Sequence, residues 1–232
     1  MARIPELKLA NAEEALALMN DTSDIRDLDP QANNLEGYLY PDTYSFPPDT
    51  NARGMIAAMV KRFRQVWREQ LGDQPLPANR TPREIVTIAS LVETEAKLKD
   101  ERPLVASVIY NRLKIGMALG IDSSVIYASK LTGKWKNDGK VYQSDLDRDS
   151  PYNTRKVRGL PPGPISSFGA RSLEAALRPA QTDYLYYVRE PSRDDGAHNF
   201  YSSEADFQRG VQALRAWERE RDARPAPANA NN

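Results

Sequence analysis

One stretch constrains the fold of this chain more than any other: TPREIVTIASLVETEAK, residues 81–97. It opens with a full helix start signal. Thr81 stands at the N-cap position, Pro82 at the first helical position, and Glu84 three residues after the cap, the spacing of a capping box. A nearly unbroken apolar pattern follows, so a helix begins here and must be packed against something. At about 100° per residue, Ile85, Ala89, Val92 and Ala96 line one face, with Ile88 on its edge. Near its end this helix carries two carboxylates, Glu93 and Glu95.

Those two glutamates do not form an adjacent pair. Glu95 falls beside Ile88 and Leu91 at the rim of the apolar stripe, and Glu93 lies about 200° away. The spacing argues against a carboxyl dyad sharing a proton. A carboxyl set against apolar side chains is poorly solvated and its pKa rises, as a general acid for glycosidic cleavage requires. The alternative is a surface helix whose glutamate stem runs along the rim with its head in water.

Other segments supply the surroundings. A short helix is expected at 12–19 after Asn11, then a polar loop at 21–34. LEGYLYPDTYSFPP (35–48) reads as extended with turns, because Pro41, Pro47 and Pro48 forbid a regular helix. Residues 52–71 form an amphipathic helix in which Met55, Ile56, Met59, Val60, Phe63, Val66, Trp67 and Leu71 recur at helical spacing. Lys61, Arg62, Arg64 and Arg68 occupy its other face, as an anion-binding or simply a solvated side. Further helices are expected at 102–114, 123–129 and 171–178. Residues 132–170 are loop-rich, and so long an irregular stretch is more often functional than not. YLYYV (184–188) and HNFYS (198–202) read as strands, followed by a helix at 203–220 and a low-complexity, disordered tail. The fold class is α+β and helix-dominated, with a small β hairpin or sheet.

Composition removes several chemistries. With no cysteine, thiolate catalysis, thiolate metal sites and disulfides are excluded, and a single histidine, His198, excludes a multi-histidine metal centre. Thirty-two Lys+Arg balance 32 Asp+Glu, so the totals do not predict the basic footprint of a nucleic-acid binder and lend no support to a local patch. Carboxylates and tyrosines remain for proton transfer. Tyr38, Tyr40 and Tyr44 cluster near Asp42, Tyr110 adjoins Asn111 and Arg112, and Tyr152 adjoins Asn153 and Thr154. Flat aromatic faces with amides and hydroxyls are what sugar rings bind, and several in turn-rich segments suggest a lined cleft. No run of about 18 apolar residues is present, and MARIPELKLA is not a signal peptide, although a fragment cut downstream of an anchor would look the same.

In order, LEGYLYPDTYSF, IASLVETEA, RPLVASVIYNRLKIGMAL, IDSSVIYA, SPYNTRKVRGLPPGPI and ALRPAQTDYLYYV resemble the blocks of the endolytic murein transglycosylases, the MltG/YceG-like family. The resemblance runs from about residue 35 to about residue 202. It implies internal cleavage of peptidoglycan glycan strands to leave 1,6-anhydro-MurNAc ends, with a lysozyme-like active-site helix and no cofactor or metal. It implies a periplasmic or extracytoplasmic catalytic domain at 35–220, preceded by a remnant or linker at 1–34 and followed by the tail at 221–232. Family members carry a membrane anchor and a small LysM-like lobe; this chain resembles the isolated catalytic part. The implied partners are glycan strands and enzymes of cell-wall synthesis, with no nucleic acid. The second glutamate of the family's Glu-x-Glu block falls on Glu95. Ala96 stands where the family usually has Thr, and the Glu-His-Asn that often follows the family's His-x-Phe stretch is missing after Phe200, so His198 is expected to be structural. Tyr40, Asp42, Asn111, Asp122, Tyr152 and Asn153 are the candidate sugar- or peptide-contacting residues, with turn formation as the alternative role of Asp42 and Asp122. A hydrolytic muramidase using Asp42 or Asp122 as a second carboxylate, or a non-catalytic peptidoglycan-binding module, are the competing readings.

Overall fold

A computed structural model describes residues 11–223. Helix α1 spans Ala12–Asn20, α2 Ala52–Leu71, α3 Pro82–Glu95, α4 Arg102–Lys114, α5 Asp122–Leu131, α6 Gln143–Leu146, α7 Ala170–Leu177 and α8 Glu204–Ala223. Strands β1 (Tyr186–Arg189) and β2 (His198–Tyr201) pair antiparallel, with Tyr187 opposite Phe200. The architecture is α+β and dominated by helices, as the element order suggested.

Local signals set the helix starts. Asn11, Asn51 and Thr81 each accept a backbone N–H in the first turn of α1, α2 and α3. The capping box of α3 is complete, since the Glu84 carboxylate also accepts from Thr81 N at 2.8 Å. The observed helices start within a residue of the expected bounds. α6 is an addition, one short turn inside the stretch read as loop.

α3 differs from a helix with one apolar stripe. Every residue from Ile85 to Val92 is at most 1% exposed. α4, α5 and α7 all pack against it, and Ile165 and Phe168 of the preceding loop join the same core. Its polar members tolerate burial because each hydroxyl has a partner. Thr87 Oγ1 donates to Arg83 O, and Ser90 Oγ donates to Thr87 O while accepting from Ile165 N.

Among the described residues before 35, in the stretch read as a remnant and linker, Ala15, Ile25 and Ala32 join the same core. Ile25 is fully buried, and Tyr38 OH donates to Asp29 at 2.6 Å. The basic face of α2 is partly committed to local ion pairs, Arg62 with Asp42 and Arg64 with Asp27. α8 packs on the hairpin through Phe207, stacked on Tyr186 at 4.9 Å. It continues to Ala223, past the expected end at 220. The remainder of the expected tail lies outside the described residues, as do residues 1–10.

Candidate active site

Glu95 is the last residue of α3 and is half-buried. Its two oxygens have different partners. Ser123 Oγ, in the first turn of α5, donates to Oε1 at 2.8 Å. Tyr187 OH, from β1, donates to Oε2 at 2.8 Å. Burial pushes the Tyr187 phenol well up, and the Glu95 carboxylate adds to it. Tyr187 therefore stays protonated and stays a donor through the physiological range.

Arg112 joins the two elements that bring these hydroxyls. Its Nε donates to Leu185 O at 2.6 Å, just before β1, and its Nη1 donates to Leu119 O at 2.6 Å, just before α5. The guanidinium also lies over the Tyr186 ring at 5.2 Å. Burial pulls its pKa down from the usual arginine value, and the charge of Arg155 acts in the same direction. Arg155 pairs with Asp122 at 2.6 Å. One region thus holds Glu95, Ser123, Tyr187, Arg112, Arg155 and Asp122.

Glu93 points elsewhere, as its helix position requires. It accepts from Arg102 Nη1 at 3.1 Å, Ser172 Oγ at 2.7 Å and Gly169 N at 3.2 Å. Gly169 is the N-cap of α7, so Glu93 supplies the capping carboxylate that α7 lacks in its own sequence. The two glutamates share no hydrogen-bonding partner.

Of the remaining sequence candidates, Asp122 adjoins Ser123 in α5 and is held by Arg155. Tyr40 is 8% exposed, and its OH accepts from Ala170 N at 3.0 Å. Asp42 bonds Arg62 at 2.9 Å. Asn153 is fully buried, and its amide donates to Leu146 O and Arg148 O at 2.8 Å, which makes it an internal tie of its loop rather than a contact for a ligand. Asn111 similarly donates to Thr182 O and Tyr184 O at 2.9 Å. Tyr152 packs on Tyr127 at 4.9 Å and lines a small polar pocket of about 50 Å³ beside Arg83 and Glu36. His198 begins β2 and bonds Glu101 through both its backbone N and its ring Nδ1, tying the hairpin to the turn before α4.

Ser123 and Tyr187 were not singled out from the sequence as site residues, and Arg112 was named only as a neighbour of Tyr110 and Asn111. Ser123 and Tyr187 lie inside blocks that did attract attention, IDSSVIYA and YLYYV, yet nothing local marks one hydroxyl among several. Only the tertiary path selects them.

The model of the YceG-like family matches residues 3–213. An endolytic murein transglycosylase of Bacillus subtilis (strain 168) is 44% identical over 158 residues, covering 66% of this chain and 41% of that protein. One from Streptococcus pneumoniae (strain ATCC BAA-255 / R6) is 34% identical over 181 residues, covering 76% of this chain and 32% of that protein. The chain therefore spans less than half the length of these curated relatives. A crystal structure of a putative yceG-like protein from Listeria monocytogenes superposes with a TM-score of 0.72 at 33% identity, over 89% of this chain and 68% of that one.

Proposed function

We propose, from the premise that this chain belongs to the YceG-like family, that it is the catalytic part of an endolytic peptidoglycan lytic transglycosylase. The observation that carries the reading is the grip on Glu95, a half-buried carboxyl whose oxygens are each held by a different hydroxyl. Glu93 is committed to α4 and α7, which leaves Glu95 as the carboxyl available for chemistry.

In this reading one carboxyl acts twice. Glu95, protonated, gives its proton to the oxygen linking MurNAc C1 to GlcNAc, and the C1–O bond breaks. The resulting carboxylate takes the proton of the MurNAc C6 hydroxyl, whose oxygen bonds to C1 and closes the 1,6-anhydro ring. Glu95 ends as it began, and no water is consumed. Tyr187, locked as a donor, occupies Oε2. Oε1 is therefore the oxygen that carries the proton, and the Ser123 hydroxyl beside it can rotate to donate or accept as the charge changes. Holding the acid in one orientation is worth rate because general acid–base catalysis depends on placement before pKa.

Asp42 and Asp122 are each held by an arginine, and neither bonds Glu95. The one-carboxylate scheme needs no second carboxylate, whereas a two-carboxylate hydrolase would have to free one of these from its arginine. The substrate lies in the cell wall, so the reading places the domain on the extracytoplasmic side. No helix among the described residues is long and apolar enough to cross a membrane.

Digestion of peptidoglycan in ¹⁸O-labelled water tests the reaction class. New MurNAc ends should be unlabelled and about 18 Da lighter than the reducing sugar, the mass of one water not added. Long strands should shorten before small muropeptides accumulate. Labelled reducing ends would make the enzyme a muramidase, and no cleavage by a folded, membrane-anchored full-length protein would favour a binding module.

A further inference from the structure

One concavity among the described residues is lined by none of Glu95, Ser123 and Tyr187. It is a groove of about 620 Å³ between α4, the turn at 77–80 and the segment 177–182. Ser107, Tyr110, Asn111 and Lys114 supply its α4 wall. Helical geometry places these roughly 150° around α4 from Arg112, so the groove opens on the opposite side of that helix. A volume of this size suits a drug-sized ligand or a short peptide.

Three cations line it, Arg80, Lys114 and Arg178, and no carboxylate does. Lys114 ends α4 and Arg178 follows α7, where a cation offsets the helix dipole. That accounts for each position singly, but not for their convergence on one concavity, where the Arg178 guanidinium also donates to Gln70 O through Nη2. The polar groups of the α7 end are already satisfied: Tyr110 OH donates to Ala176 O at 2.8 Å, and Arg178 N to Glu174 O at 2.8 Å. Arg80 is half committed. Its Nη1 bonds Glu84 at 2.8 Å, while its Nε is buried without a partner. Ala78 and Asn79 hold positive φ angles of 51° and 54°, which are unfavourable for non-glycine residues and shape the turn that carries Arg80. Pro77, Leu177 and Pro179 give the groove an apolar wall.

We propose that this groove binds a short peptide bearing free carboxylates, namely the stem peptide of a peptidoglycan strand, at a site separate from the one that cuts. The identity of the peptide rests on the reading of the chain as a peptidoglycan enzyme; the preference for a carboxylate-bearing peptide rests on the groove alone. The apolar wall takes the aliphatic side chains, and the cations take the carboxylates. The enzyme then holds the wall through peptide on one face while Glu95 works on glycan at the other.

Binding of a soluble disaccharide–pentapeptide, the same compound with its carboxylates amidated, and a peptide-free glycan decides the matter. The carboxylate form should bind most tightly and weaken with salt. Lys114→Gln and Arg178→Gln should each lower its affinity about tenfold or more in protein that remains folded. On peptide-bearing strands the same variants should raise KM and leave kcat unchanged, and on peptide-free glycan they should change neither. Equal binding of the free and amidated peptides, or full affinity in both folded variants, would overturn the proposal. Failure to cleave any strand, with the binding contrast intact, would count against the transglycosylase reading and leave the groove assignment standing.

Discussion

At the scale of single residues, the proposed reading gives two glutamates on one helix end separate tasks. Glu95→Gln keeps shape and removes the titrating proton, so lytic activity should fall at least about a hundredfold, with the melting temperature nearly unchanged. Glu93→Ala should do the reverse. It leaves Arg102 and the start of α7 without their carboxylate, so stability should fall by about 2 kcal/mol while turnover per folded molecule persists. Thermal melts alongside active-site-normalised rates separate the two, and equal losses of turnover would undo the division of roles. Tyr187→Phe and Ser123→Ala test the grip itself. Each should lower kcat about tenfold with little change in KM, the signature of a mispositioned acid rather than of lost substrate contact.

At the scale of elements, what was legible in the sequence was what local chemistry determines. Asn11, Asn51 and Thr81 act within three residues of themselves, and the starts of α1, α2 and α3 could be read from them. The surroundings of α3 could not. Ser90 breaks an apolar pattern in sequence, yet it is buried because Ile165, 75 residues away, brings a backbone N–H to it. Asn153 looked like a presented amide for the same reason in reverse, since the carbonyls it serves belong to an irregular loop with no periodic signature. Two substitutions probe this level. Thr81→Ala removes the cap of α3 and should cost about 1 kcal/mol. Arg112→Lys keeps the charge but cannot span Leu185 O and Leu119 O together, so α5 and β1 lose their common brace. Activity should then fall with both hydroxyl partners still present, and it should not be recovered by higher substrate concentration.

At the scale of the whole molecule, the buried phenols set an alkaline limit. Burial pushes Tyr38, Tyr110, Tyr127 and Tyr187 up from the ordinary tyrosine value. In the unfolded chain these groups ionise near about pH 10, and in the native chain they do so only above it. The unfolded state therefore binds fewer protons once that value is passed. The stability these groups contribute is fully present below about pH 10 and is lost as pH rises further. Denaturant titrations between about pH 9 and 12 should show the decline. Tyr127→Phe keeps the ring against Tyr152 and should make the slope shallower by about 1.4 kcal/mol per pH unit. An unchanged slope would mean that Tyr127 ionises alike in both states.

The distance along the chain between Glu95 and Tyr187 has a consequence for biosynthesis. Glu95, the acid of the proposed reading, is made first, and the hydroxyl that holds its Oε2 is made 92 residues later. At about 5–20 residues per second that interval is roughly 5–18 s. A nascent chain can build α3 and its immediate neighbours during this time and still have no oriented acid. On the proposed reading, release of the hairpin completes the site, so a product truncated before β1 should be an inert helical body rather than an unregulated wall-cutting fragment.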